Sequence, residues 1–351
     1  MPVYIHGMGN ISPQKTWDEQ RLLDQPVVYA GDKLVCHEPD YSKFIDVKQL
    51  RRMSRIIKMG VAAAGMALNE SGVAVPNGIV TGTAYGCLED TGIFLNKMIE
   101  NKEHALNPTP FIQSTHNTIG SQIALLLQCQ GYNQTYTQGA FSFENALLDA
   151  LLELKDLPDQ SLLVGGVDEI TATSHALQQR FGIFRNVENN LRLFDDGLEG
   201  TINGEGAAFF VLSGEKRATA DVCIQGVKTL YKPKDAAIER GITSFLESAS
   251  LKTLDIDLVL LGKSGDSKFD AKTNEIASIH FAESSLGVFK HLSGEYPTAS
   301  AFAVWLGARI IRENHIPGAV VLRDTKRPPN RVLIYNPYFG NHHSLILLTS
   351  C

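Results

Sequence analysis

The side chains able to do covalent chemistry in these 351 residues are few and scattered. Cysteines stand at 36, 87, 129, 223 and 351, odd in number, far apart and without a Cys-x-x-Cys pair, so neither a disulfide framework nor a zinc site is expected. Each reads as a small buried hydrophobe, and Cys87, in the Gly-rich segment Thr83-Ala-Tyr-Gly-Cys, as a packed thiol. Ser142 opens a helical pattern and reads as a cap or first-turn residue, because a serine nucleophile needs a neighbouring base and no histidine is assigned near it. His116 precedes a helix cap and is expected to bond locally. His291 follows Lys290, and adjacent residues on one element face different ways.

The remaining composition narrows the function classes. Thirty-two Lys and Arg against 38 Asp and Glu give a net charge of −6, which offers no basic field for a phosphate backbone, so nucleic acid is not expected as a partner. The apolar runs 123–127 and 258–261 are far short of the ~20 residues of a spanning helix. The N-terminal stretch MPVYIHGMGNISPQK has neither a basic start nor a continuous apolar run, so a cytoplasmic protein without a signal peptide is expected. With 44% hydrophobic and 20% charged residues the chain is globular in composition, and its length fits roughly two units of about 150 residues.

The elements that must position any site alternate between helix and strand. A helix is expected from Val47 or Lys48 to Asn69, with Met53, Ile56, Ile57, Ala64 and Leu68 on one face. A strand at 78–82 follows, then a helix from an Asn117 cap, then a short strand at 134–137. Phe143, Ala146, Leu147, Ala150, Leu151 and Leu154 fall at i, i+3, i+4, i+7, i+8 and i+11, an unbroken helical stripe that begins just after Gln138-Gly139-Ala140. Strands at 161–167 and 208–212 close a first half. A second half has strands at 222–227, 258–261 and 344–348, with helices at 236–247, near Asn274 and at 299–312. This alternation predicts an α/β fold of layered sheets in two similar halves, residues 1–213 and 221–351.

The stretch LRLFDDGLEGTINGEGAAFFVL at 191–212 resembles the "PFD...DGF..GEGA" signature of β-ketoacyl synthases of the thiolase fold. Five further segments match in order: GTAYG at 82–86; the run from Pro108 through Asn117 to Gly131; LLVGGVDE at 162–169; Lys290 to Ala299; and NPYFGNHHSLILL at 336–348. The resemblance implies two related halves in a layered αβαβα arrangement, and a reaction in which a helix-top cysteine accepts an acyl chain and two histidines stabilise an enolate.

Carried over residue by residue, that machinery is missing. Ala140 stands where the cysteine belongs, Gly262 where the first histidine follows its strand, and Glu295 where the second follows Lys290 by five residues. A carboxylate about 4 Å from an enolate would oppose it by on the order of 4 kcal/mol at an effective dielectric near 20. Lys290, Glu205 and Asp195 remain as the supporting frame, and Phe141 and Phe143 are assigned to an acyl pocket. His342-His343 fall at a terminal loop, where a structural or surface role is favoured over the pocket edge. In related decarboxylating subunits a glutamine replaces the cysteine, a role that Gln138 takes if the register shifts.

The resemblance therefore implies a chain-length-factor-like subunit without autonomous condensing activity. It would act in fatty acid, polyketide or aryl-polyene-type biosynthesis, as a dimer with an active ketosynthase subunit and with an acyl carrier protein, needing no cofactor or metal. A malonyl-carrier decarboxylase or an unusual condensing enzyme, and a homodimeric acyl-binding protein, stand as alternatives.

Overall fold

The β-rich segments of both halves join into one 11-stranded sheet. The computed structural model describes residues 2–17, 22–217 and 222–351. The first half runs β1 (Val3–Ile11), α1 (Val47–Leu50), α2 (Arg55–Ser71), β2 (Gly78–Gly82), α3 (Leu88–Glu100), α4 (Pro108–Gln113), α5 (Thr118–Leu127), β3 (Tyr132–Tyr136), α6 (Ser142–Asp156), β4 (Ser161–Asp168), α7 (Ala172–Gln179) and β5 (Gly206–Ser213). The second runs β6 (Val222–Tyr231), α8 (Asp235–Ser248), β7 (Leu258–Leu261), α9 (Ser267–His280), β8 (Ser285–Val288), α10 (Lys290–Ser293), α11 (Ala299–Glu313), β9 (Val321–Arg323), β10 (Arg331–Tyr338) and β11 (His342–Ser350).

The strand order is β3-β2-β4-β5-β1-β6-β11-β10-β7-β8-β9. Outward from the β1–β6 junction, β1-β5-β4-β2-β3 corresponds strand for strand to β6-β11-β10-β7-β8, with β9 as an addition. Strand polarity matches too: β2 is parallel to β3 and β4 as β7 is to β8 and β10, while β5 and β11 run antiparallel to both neighbours. Parallel pairs need crossover helices, and α5 and α6 supply them in one half as α9 and α11 do in the other.

Helices α6 and α11 are buried in the central core, which joins Phe143, Leu147, Phe302 and Leu306 to side chains of both halves. The strongly apolar strands β4 and β5 are covered on their other face by α2 and α5, and β7, β10 and β11 by α8 and α9. The result is the layered α/β arrangement expected from the sequence. Two glycines set one of its contacts. A Cβ at Gly7 would meet Ala67 O at 2.2 Å and one at Gly9 would meet Ala63 O at 2.1 Å, so β1 lies against the backbone of the alanine-rich α2.

The helix expected from residue 47 or 48 to 69 is instead two helices, because the chain leaves α1 at Arg51 and restarts after Ser54. The sequence pattern also leaves β1, α3, α4, α7 and β10 unassigned. The cysteine expectation is corrected in one place. Cys223 and Cys351 form a disulfide with Cα atoms 6.1 Å apart, because β6 and β11 are neighbours and Cys223 pairs with Thr349, two residues before Cys351.

Candidate functional site

The head of α6 is a 3₁₀ turn, Gly139–Phe141, entered through Gly139 at φ +58° and tied by Ser142 Oγ donating to Gly139 O at 2.7 Å. A Cβ at Gly82 would lie 2.5 Å from Ser142 O, so the end of β2 presses directly on this turn. Ala140 is buried there, and its side chain is only a methyl group. Gln138 precedes the turn, is exposed, and makes no side-chain cap. Phe141 meets His342 edge-on with ring centroids 4.8 Å apart, whereas Phe143 is fully buried against Phe210 in the central core. Cys87 is buried, and desolvation pushes its thiol far above the ordinary range, which leaves it a packed thiol.

Gly262 follows β7 and donates its N–H to Tyr335 O at 2.8 Å. A Cβ added at Gly262 would lie 2.3 Å from Asn336 Oδ1 and 2.9 Å from Asn336 Cα, so Asn336 occupies the space that a side chain at 262 would need. Asn336 Oδ1 is buried and accepts no hydrogen bond among the described residues.

Lys290 opens α10, and its Nζ donates to Glu295 Oε2 at 2.7 Å and to Pro337 O at 2.9 Å. Both side chains are almost wholly buried, at 0% and 1% exposure, so each faces the other as its ion-pair partner in place of bulk water. Burial pushes the Glu295 carboxyl up to about 7 against the opposing pull of Lys290. The repulsion expected from a bare carboxylate here is thereby offset by its neighbour. Glu295 Oε1 accepts from no donor among the described residues.

The Asn203-Gly-Glu-Gly-Ala signature explains how this pair is placed. Gly294, at φ +76°, and Gly204 touch backbone to backbone: a Cβ at Gly204 would lie 2.3 Å from Ser293 O. That approach lets Glu295 N donate to Ile202 O at 2.8 Å and Gly204 N to Glu295 O at 3.2 Å. Glu205 points the other way. It takes Arg55 Nη1 at 2.6 Å, Cys36 N at 2.8 Å and Ile170 N at 2.8 Å, binding α2 to two loops behind the site. Asp195 lies at the surface in an ion pair with Arg192 at 2.9 Å, away from Glu295 and Lys290 in structural role.

The histidines are held structurally. His291 Nε2 meets Ala319 O at 2.8 Å, and burial lowers the ring to about 4. His343 Nδ1 meets Tyr335 Oη at 2.8 Å. His175, which the sequence pattern leaves unassigned, bridges Asp32 at 3.0 Å and Asn203 at 2.8 Å.

At the C-terminal ends of β4 and β10 lies a cavity of about 300 Å³, with aromatic walls from Tyr85, Phe181, Phe184, Tyr296, Tyr338 and Phe339. Asp168, Glu169 and Glu295 also line it. Asp168 accepts from Thr83 Oγ1 at 3.0 Å, Ala84 N at 2.9 Å and Thr298 Oγ1 at 2.9 Å, and desolvation still raises its carboxyl to about 6. Burial lifts Glu169 to about 8, and its Oε1 has no partner among the described residues. Neither Phe141 nor Phe143 is part of this lining. The sequence signal for Asp168-Glu169 was present, since two acids end an otherwise apolar strand, but nothing local indicates that Glu295 converges on them. Among the described residues no group of three or more His, Cys, Asp or Glu is placed to hold a metal ion.

The family model "Beta-ketoacyl synthase, N-terminal domain" matches residues 5–218. The chain belongs to the β-ketoacyl synthase family. A curated relative, 3-oxoacyl-[acyl-carrier-protein] synthase 2 of Synechocystis sp., is 25% identical over 229 residues, 62% of this chain and 53% of the relative. The match thus spans about half the length of that relative. Among solved structures, the ishigamide ketosynthase/chain length factor superposes with a TM-score of 0.79 at 19% identity, covering 100% of this chain and 99% of the other. A type II polyketide synthase acyl-carrier protein in complex with its ketosynthase bound to the hexaketide gives 0.76 at 15% identity, with 100% and 99% covered. At such identities the structural likeness carries the thiolase-like ketosynthase fold. Among the described residues no helix is long and apolar enough to cross a membrane.

Proposed function

We propose that this chain is a ketosynthase-fold subunit that does not itself condense acyl groups and instead completes an assembly with an active ketosynthase. The observation that carries the reading is the triple departure at Ala140, Gly262 and Glu295. A methyl at the head of α6 cannot attack a thioester. At Gly262 the space for a side chain is taken by Asn336, and at Glu295 the carboxylate is committed to Lys290. Around these positions Lys290, the buried Glu205 and the Gly204–Gly294 contact remain, which fits a protein kept for its surface and cavity. The neighbouring structures named for a chain length factor and for an acyl-carrier-protein complex supply the model for the partners: a ketosynthase and an acyl carrier protein, in biosynthesis of fatty acid, polyketide or aryl-polyene type. The two halves, residues 1–213 and 221–351, are proposed as its structural units.

The test is twofold. Incubated alone with acyl and malonyl carrier thioesters, the purified chain should gain no covalent acyl mass and release no carbon dioxide. Co-expressed with a ketosynthase encoded beside it, it should elute as a stable complex. Turnover by the isolated chain, or failure to associate with any such ketosynthase, overturns the proposal.

A further inference from the structure

The cavity between β4, α7 and β10 has a chemistry that does not suit an anionic acyl substrate. Its lining includes three carboxyl residues and no Lys, Arg or His among the described residues, although Lys290 stands just behind Glu295. Glu295 is 2% exposed, lines the cavity, and carries an oxygen, Oε1, to which no donor is supplied. Such an acceptor costs free energy unless a ligand or water satisfies it. Glu169, 7% exposed and also in the lining, carries a second unpartnered Oε1.

The walls agree with the acids. Six aromatic side chains surround the space, and ring faces attract a cation, most strongly when it is desolvated. Burial raises the phenols of Tyr338 and Tyr296 well above the ordinary range, so both stay neutral hydroxyls in this wall.

We infer that this cavity binds a primary alkylammonium group, with the ammonium N–H donors satisfying Glu295 Oε1 and the alkyl stem lying against the aromatic walls. A primary amine fits better than a quaternary one because the open positions are hydrogen-bond acceptors. The inference is independent of any ketosynthase partner and concerns the chain alone.

Three probes of one length separate the possibilities by isothermal titration calorimetry on the full chain: hexylammonium chloride, hexanol and sodium hexanoate. The expected result is saturable one-to-one binding of hexylammonium, at least about tenfold tighter than hexanol, with no measurable hexanoate binding. At a pH above the raised values of about 7 for Glu295 and about 8 for Glu169, where both carboxyls are ionised and the amine is still protonated, Glu169→Gln, which stays clear of the Lys290 ion pair, should weaken hexylammonium by about tenfold and leave hexanol unchanged. Phe181→Ala, at an exposed wall position, should weaken both amine and alcohol. Equal or tighter binding of hexanoate, parity of hexanol with the amine, or no saturable amine binding overturns the inference.

Discussion

Lys290 Nζ lies 2.7 Å from Glu295 Oε2, across a tight turn and with both side chains almost wholly buried. Removing one partner of such a pair leaves a buried charge uncompensated, at a cost of about 3–5 kcal/mol. Glu295→Ala and Lys290→Met should each lower the free energy of unfolding by that order. The double variant Lys290→Met/Glu295→Leu should cost clearly less than the sum. A double-mutant cycle by urea unfolding measures the coupling, and strict additivity would refute it.

Gly262 should tolerate no side chain. A Cβ there would lie 2.3 Å from Asn336 Oδ1 and 2.9 Å from Asn336 Cα, so both a side chain and the backbone of β10 stand in the way. Gly262→Ala is expected to lose about 1–3 kcal/mol through overpacking, read as a lowered urea midpoint at unchanged m. Asn336→Ala in the same chain should recover only part of the loss, because the backbone contact remains. Full tolerance of the alanine would show that Asn336 does not fill the site.

Stability should fall as pH rises from about 6.5 to 8. Burial raises Glu295 and Glu144 to about 7 and Glu169 to about 8, from an ordinary value of 4.5. In this window the folded chain holds protons that the unfolded chain has already released, so the slope of unfolding free energy with pH is negative. The contribution is whole below the unfolded carboxyl pKa and is lost through the folded values. Below 6.5 the buried His291, lowered to about 4, acts in the opposite sense, since unfolding lets it take up a proton. Calorimetric melting temperatures should therefore decline from pH 6.5 to 8. Glu144→Gln/Glu169→Gln should flatten the decline, and an unchanged profile in that variant would count against the assignment.

Glu205→Ala should be as damaging as the loss of a core ion pair. Glu205 has no exposed surface, and its oxygens hold Arg55 and the amides of Cys36 and Ile170. A loss of about 3–5 kcal/mol is expected, with Glu205→Gln intermediate because an amide oxygen still accepts from the amides while its charge is gone. Chemical denaturation at pH 7 checks both. Asp195→Ala, which breaks a surface pair with Arg192, should change stability by less than about 1 kcal/mol.

The sequence by itself determined the α/β class and the stripe of α6, because the period of apolar residues is a local signal that survives into Phe143, Leu147 and Leu154 in the core. It also determined that Ala140 cannot be a nucleophile, since that follows from residue type. It left β1 and β10 unassigned, and for β1 only the close approach of Gly7 and Gly9 to the backbone of α2 shows why glycine stands in that strand. Only the tertiary structure decided that Glu295 faces Lys290, that Asn336 fills the space beside Gly262, and that Cys223 reaches Cys351. Only it separated Glu205, buried behind the site, from Asp195, which shares the same signature yet lies at the surface. Each of those outcomes depends on which distant segments the sheet brings side by side, and a contact between residues far apart in the chain leaves no periodicity to read.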